Sequence, residues 1–235
     1  MSYLVIFLWD NKKVYKFFLY TLYIFVYNNL KVMIMVKFID KKNCYIGENA
    51  RIGENTIIYP FVVIEGNCVI GDNCIIGPGS YLKNCTIGNN CSIYSSHVFD
   101  SKIADAVNIG PYAYIRNAVN VDIGAKIGTF VEIKKTDVGT GSRISHLSYV
   151  GDSTIGNNVN IGGGSITANF DGKFKNETIV DDNAFVGVNC SLIAPVKIGK
   201  SSVIGAGSTI NGDVPDFSLG IARVRQENRI NYYKN

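Results

Sequence analysis

Six residues between 116 and 169 combine reactive side chains with telling spacing: Arg116, Lys134, His146, Tyr149, Asn160 and Asn169. His146 is one of only two histidines, and a neutral imidazole accepts a proton from an attacking amine near neutral pH. Arg116 and Lys134 lie 18 residues apart within an unbroken stretch of a six-residue repeat, so they stack on neighbouring turns of the chain. Two cations at that separation repel each other unless an anion sits between them, which points to a phosphate site. The plainer alternative is two long side chains splayed into water. Tyr149 falls near the same corner one turn on, and Glu132 flanks the cations and is a candidate to orient the histidine. His97 falls where the repeat blurs and is read as filling structural space. Two histidines cannot make a three-histidine zinc centre, and no Ser-His-Asp or Cys-His set is evident.

These residues are carried by the six-residue rhythm. Aliphatic side chains recur at Ile46, Ile52, Ile58, Ile64, Ile70, Ile76 and Leu82, then after a slip at Ile87, Ile93 and Phe99. The series resumes at Ile103, Ile109, Ile115, Val121, Ile127 and Ile133, continues through Val138, Ile144, Val150, Ile155 and Ile161, and returns at Val180, Val186, Leu192, Ile198, Ile204 and Ile210. Gly often follows the aliphatic residue, and Asn or Asp, tolerant of left-handed backbone, follows that. A helix needs a period near 3.6, so period six means short strands joined by turns, three to a triangular coil of 18 residues stacked at about 4.8 Å. The fold expected is all-β, a left-handed parallel β-helix of the hexapeptide-repeat kind. All six cysteines stand two residues before a repeat aliphatic and therefore point into the core, which argues against disulfides and for a reducing, cytoplasmic setting.

The expected organisation is a β-helix over residues 39–212, a polar insertion at 167–178 with no slot in the core, and a tail over 213–235. Residues 1–38 are aromatic and aliphatic without glycine; they are read as a disordered extension or a misassigned start, with a membrane-surface anchor as the alternative. Their longest apolar run falls short of the roughly 20 residues a membrane span needs. The formal charge of +4 suits a small phosphorylated ligand, and no Lys/Arg run suggests nucleic acid.

The segments IGPYAYIR (109–116), IGTFVEIKK (127–135), SHLSYVGD (145–152) and IGNNVNIGGGSITANFDG (155–172) resemble the acetyltransferase domain of the bifunctional N-acetylglucosamine-1-phosphate uridyltransferase/glucosamine-1-phosphate acetyltransferase family, GlmU. The resemblance covers about 44–225 and implies acetyl transfer from acetyl-CoA to the 2-amino group of glucosamine 1-phosphate, with no metal needed. It implies His146 as general base and Arg116, Lys134, Tyr149, Asn160 and Lys175 as sugar-phosphate contacts. Acetyl-CoA contacts then fall on Gly163, Asn169, Phe170, Val188, Ala206 and Arg223, in a homotrimer with sites between chains. The sequence departs from the family at Phe170, where Tyr is usual, and at Val188, where a small hydroxyl residue is common. No uridyltransferase domain precedes the repeats, so a separate uridyltransferase is a possible partner. The alternatives are another amino-sugar acceptor, or a non-catalytic β-helix used for trimerisation.

Overall fold

The computed structural model describes residues 36–230, 232 and 233; the expectations for residues 1–35 lie outside these. Short parallel strands wind into a three-sided prism. Panel 1 is an 11-stranded sheet that includes Lys126–Thr129, Arg143–His146, Asn160–Ile161, Phe185–Val186 and Val203–Ile204. Panels 2 and 3 join into one 17-stranded sheet, because Glu132–Val138 and Tyr149–Ile155 turn the corner between them without losing their pairing. The corner from panel 1 to panel 2 is called here the first, and that from panel 2 to panel 3 the second.

The period-six aliphatics fill the prism axis: Ile109, Ile127, Ile144, Ile161, Val186 and Ile204 stack in register on panel 1, and all are buried. The position two residues earlier holds Cys, Ser, Thr, Val or Ala. Cys74, Cys91 and Cys190 point inward there beside Thr56, Ser142 and Ser165 in equivalent slots. Their sulfurs lie within hydrogen-bond reach of corner carbonyls, as Cys74 Sγ does of the Gly88 oxygen at 3.1 Å, much as Ser142 Oγ donates to Gly156 O at 2.6 Å. All six cysteines are free thiols; Cys44 alone is only half-buried.

The structure corrects four readings. Val98, not Phe99, takes the core slot, because a second one-residue slip follows Ile93; Phe99 points outward. His97 fills no interior space but stands exposed in an aromatic cluster with Tyr81, Phe99 and Tyr114. Thr167 and Thr178 belong to the core, so the insertion proper is 169–177: Thr167 is buried one coil on from Val150, and its hydroxyl accepts from Gly151 N–H at 2.8 Å. The repeat also reaches past both expected limits. Lys37–Phe38 pairs with Ile57–Ile58, and Leu219–Gly220 pairs with Val203–Ile204, Gly220 standing in for the aliphatic.

Candidate active site

The structure sorts the candidate residues onto two corners. At the first corner, four of them occupy one position, two residues past the panel 1 aliphatic, in successive coils: His146, Gly163, Val188 and Ala206. Three coil spacings separate the ends of this column, about 14 Å. Along it Gly164 N–H donates to His146 O (3.3 Å), Asn189 N–H to Gly163 O (2.9 Å) and Gly207 N–H to Val188 O (2.8 Å). The N–H groups of Gly163, Val188 and Ala206 themselves have no acceptor among the described residues. The column thus presents a line of three donors with His146 at one end. At the other end Arg223 Nη1 donates to Ala206 O at 3.0 Å. A Cβ on Gly163 would lie 3.3 Å from that of His146, so glycine is what leaves room beside the imidazole. Asn160 lies on the outer face of panel 1 between Arg143 and Phe185, three residues before Gly163.

The His146 ring makes no hydrogen bond among the described residues, and Glu132 does not orient it. Glu132 instead accepts from Arg116 Nη2 at 2.6 Å and Nε at 3.1 Å. That bond, with burial opposing it, raises the Arg116 guanidinium above its ordinary pKa.

The second corner carries the charged set. Arg116 and Lys134 are direct register partners, as their spacing implies. Their repulsion is relieved by the protein's own carboxylates, Arg116 by Glu132 and Lys134 by Asp152, whose Oδ2 is 3.6 Å from Lys134 Nζ. Tyr149 stacks on Glu132 rather than Lys134; Gly151 lies beside Lys134. A side chain on Gly151 would collide with the Tyr149 hydroxyl and come within 2.9 Å of Asn169 Nδ2. Asn169 is buried, donating to Asp152 Oδ2 at 2.6 Å and to the Tyr149 hydroxyl at 3.3 Å. From it the insertion loops out: Lys175 lies over the exposed Phe170 ring at 4.6 Å, and Asn176 N–H closes back onto Asn169 O at 2.7 Å. Asp171 ties the loop tip. Phe174 N–H, the Asn176 amide and Lys173 N–H hold its carboxyl below the ordinary range, so these contacts persist at neutral pH and are lost only as the pH falls through the lowered value. A cleft of about 400 Å³ beneath the loop is lined by Lys135, Asp137, Asp152, Lys175 and Glu177.

The two substrate sets inferred from resemblance are therefore each divided. Of the acceptor set, Asn160 lies on panel 1 and the others on the second corner's side. Of the acetyl-CoA set, Asn169 and Phe170 stand at the second corner and the others at the first. The corners bound panel 2, and the five residue steps from His146 to Gly151 span roughly 15 Å of backbone across it. Asp152 is the functional-looking residue that sequence reasoning missed, although it closes the quoted SHLSYVGD segment. Among the described residues no group of three or more His, Cys, Asp or Glu is placed to hold a metal, and no helix is long and apolar enough to cross a membrane.

Comparison with known proteins agrees with this architecture. The family model for the bacterial transferase hexapeptide (six repeats) matches residues 49–84, 67–98 and 177–212. The Francisella novicida UDP-N-acetylglucosamine acyltransferase superposes with a TM-score of 0.54 at 22% identity, covering 80% of this chain and 67% of that one. The Bacteroides fragilis LpxA, also a UDP-N-acetylglucosamine acyltransferase, gives 0.56 at 24% identity, covering 77% and 70%. At such identities these two show the fold alone. The chain is a hexapeptide-repeat left-handed β-helix.

Within that class its sequence is similar to one portion of bifunctional protein GlmU. The Carboxydothermus hydrogenoformans protein is 49% identical over 199 residues, 85% of this chain and 45% of that protein. The Exiguobacterium sp. protein is 49% identical over 157 residues, 67% and 35%. The chain is a partial, GlmU-like domain, spanning less than half the length of these relatives.

Proposed function

We propose that the chain transfers an acetyl group from acetyl-CoA to the 2-amino group of glucosamine 1-phosphate. The observation that carries the reading is the first-corner column: a general base at one end, a guanidinium at the other, and between them backbone donors that have no acceptor among the described residues. A pantetheine arm, extended and bearing amide carbonyls, fits along such a line, with its thioester beside His146 and its phosphates toward Arg223. Similarity to GlmU supports the choice of acceptor, and Arg116 with Lys134 suits its phosphate.

In this reaction the amine lone pair adds to the thioester carbon and His146 takes the amine proton. The Gly163 N–H, beside His146, is the donor best placed for the oxyanion. Collapse of the tetrahedral intermediate breaks the C–S bond, and the CoA thiolate leaves and takes up the proton.

Amine and phosphate sit on adjacent carbons of the acceptor, whereas the backbone at His146 and the backbone at the cation pair stand at opposite edges of panel 2, roughly 15 Å apart in one chain. The reading therefore calls for the first corner of one copy to meet the second corner of another, in a homotrimer closed by cyclic symmetry. The first corner suits such a seam. Tyr112, Phe130 and Leu147 project there, all more than half exposed and all with positive φ, a conformation bulky side chains rarely adopt. The rings of Tyr112 and Phe130 stack at 5.4 Å. Buried free thiols are in keeping with a cytoplasmic location.

The test is thiol release from acetyl-CoA with glucosamine 1-phosphate, glucosamine 6-phosphate and glucosamine as acceptors. Glucosamine 1-phosphate should give the highest kcat/KM, by at least about tenfold, the worth of one charge-assisted contact. No thiol release, or equal use of unphosphorylated glucosamine, overturns the reading. Co-expressing His146→Ala with Lys134→Ala chains tests the seam, since about one seam in four then holds both intact corners. His146→Ala with Arg223→Ala should show no rescue, because those residues share one corner.

A further inference from the structure

We propose that Asp152 is a positioning residue, one that locks the cation of the acceptor site to the inserted loop so that Lys134 and Asn169 are set as one unit. The inference rests on reading the second corner as the acceptor-phosphate site.

Asp152 follows Gly151 with φ of 49°, a left-handed conformation that Asp and Asn adopt more readily than most residues. Its side chain is only 7% exposed. Carboxylates are rarely buried to that degree unless their charge is compensated. Here three groups do so. Asn169 Nδ2 donates to Oδ2 at 2.6 Å, Lys134 Nζ lies 3.6 Å from the same oxygen, and Lys135 Nζ lies 3.4 Å from Oδ1.

The three partners belong to different parts of the site. Lys134 is in register with Arg116. Asn169 is the root of the loop, closed by the Asn176 N–H. Lys135 lines the cleft beneath the loop together with Lys175. An ammonium on a four-carbon stem has many rotamers, and Asp152 restricts those of Lys134 while anchoring the loop's first residue. A phosphate arriving at Arg116 and Lys134 must share the three Nζ donors with Asp152. Asp152 therefore weakens acceptor binding while fixing its orientation. Removing the charge should lower kcat without raising the acceptor KM, which is not what loss of a simple binding contact does.

Two variants of the 235-residue chain separate these roles. Asp152→Asn keeps the shape, the tolerance for left-handed backbone and an acceptor for the Asn169 amide, but loses the charge. Asp152→Ala loses both. With glucosamine 1-phosphate the Asn variant should lose about tenfold in kcat, with the acceptor KM unchanged or lower and the acetyl-CoA KM within about twofold. The Ala variant should lose more, and hydrogen exchange at the amides of 169–177 should quicken at least tenfold in Ala but not in Asn. Wild-type kinetics in both variants, or a matching rise in both KM values with equally fast loop exchange in both, would overturn the proposal. If the wild-type chain acetylates no phosphorylated amino sugar, the functional reading fails instead. The exchange comparison needs no substrate and still decides whether Asp152 holds the loop.

Discussion

At the first corner of the prism, what is left for a ligand is mostly backbone: the N–H groups of Gly163, Val188 and Ala206 beside a single imidazole. At the second corner it is charged side chains, each already partnered: Arg116 by Glu132, and Lys134 by Asp152. Both corners are built from the same six-residue unit. At the first, two of the three donor positions, Gly163 and Ala206, carry little or no side chain, while Val188 is larger. The second works by burying enough countercharge to hold two cations one coil apart. On the proposed function, the backbone track takes an extended chain of repeated amides and the compensated cation pair takes a compact anion.

Substitutions can break this contrast, starting with the largest effect. His146→Ala should lower kcat by about 10²–10⁴ while leaving the thermal midpoint within a few degrees, since the ring is exposed and bonded to none of the described residues. Steady-state thiol release decides it, and turnover within a few-fold of wild type would remove His146 from the chemistry. Gly163→Val should cost on the order of 100-fold in kcat/KM, because its Cβ presses on that of His146 and displaces the base. A variant with unchanged acetyl-CoA kinetics would mean that the column is not the donor track. Arg116→Ala or Lys134→Ala should raise the acceptor KM by about 10–100-fold, from about 1.5–3 kcal/mol per charge-assisted contact, with acetyl-CoA affinity measured by calorimetry nearly unchanged. Equal weakening of both substrates would erase the difference between the corners. Smallest of all, Cys74→Ser should change stability by about 1 kcal/mol or less and leave activity alone, because Ser fills equivalent slots and reaches the same kind of carbonyl. A loss of activity in that variant would give the buried thiols a role beyond packing.

The scaffold is readable because most core aliphatics fall six residues apart, with single-residue slips between runs, and the stacking of Arg116 on Lys134 follows from counting alone. The errors came where side-chain size or polarity hid a core position. Thr167 fills an aliphatic slot because its hydroxyl is satisfied by Gly151, which no period reveals. Phe99 falls six residues after Ile93, yet the Ser95–Ser96 turn shortens that coil and places Val98 inside. Asp152 escaped notice because its significance depends on three partners drawn from separate stretches. The split of each ligand set between two corners was equally hidden, since proximity in sequence says nothing about which edge of a panel a residue occupies.

The insertion has a consequence for how the chain finds this fold. Across the corner from panel 3 to panel 1, Thr140 N–H meets Asn157 Oδ1, 17 residues on; in the coil that carries the loop, Asn157 N–H meets Asp182 Oδ1, 25 residues on. Lengthening the closure from 17 to 25 residues adds only about 0.3 kcal/mol of chain entropy. The strands on either side keep their register and spacing. Strand pairing in the prism joins coils that are neighbours along the chain, so folding can spread from one coil to the next like a zipper, and an excursion at a corner delays a single closure without altering the coils beyond it. A loop that supplies Asn169, Phe170 and Lys175 can thus be lengthened, shortened or exchanged at almost no cost to assembly, which leaves the coil edges free to vary while the axis stays fixed.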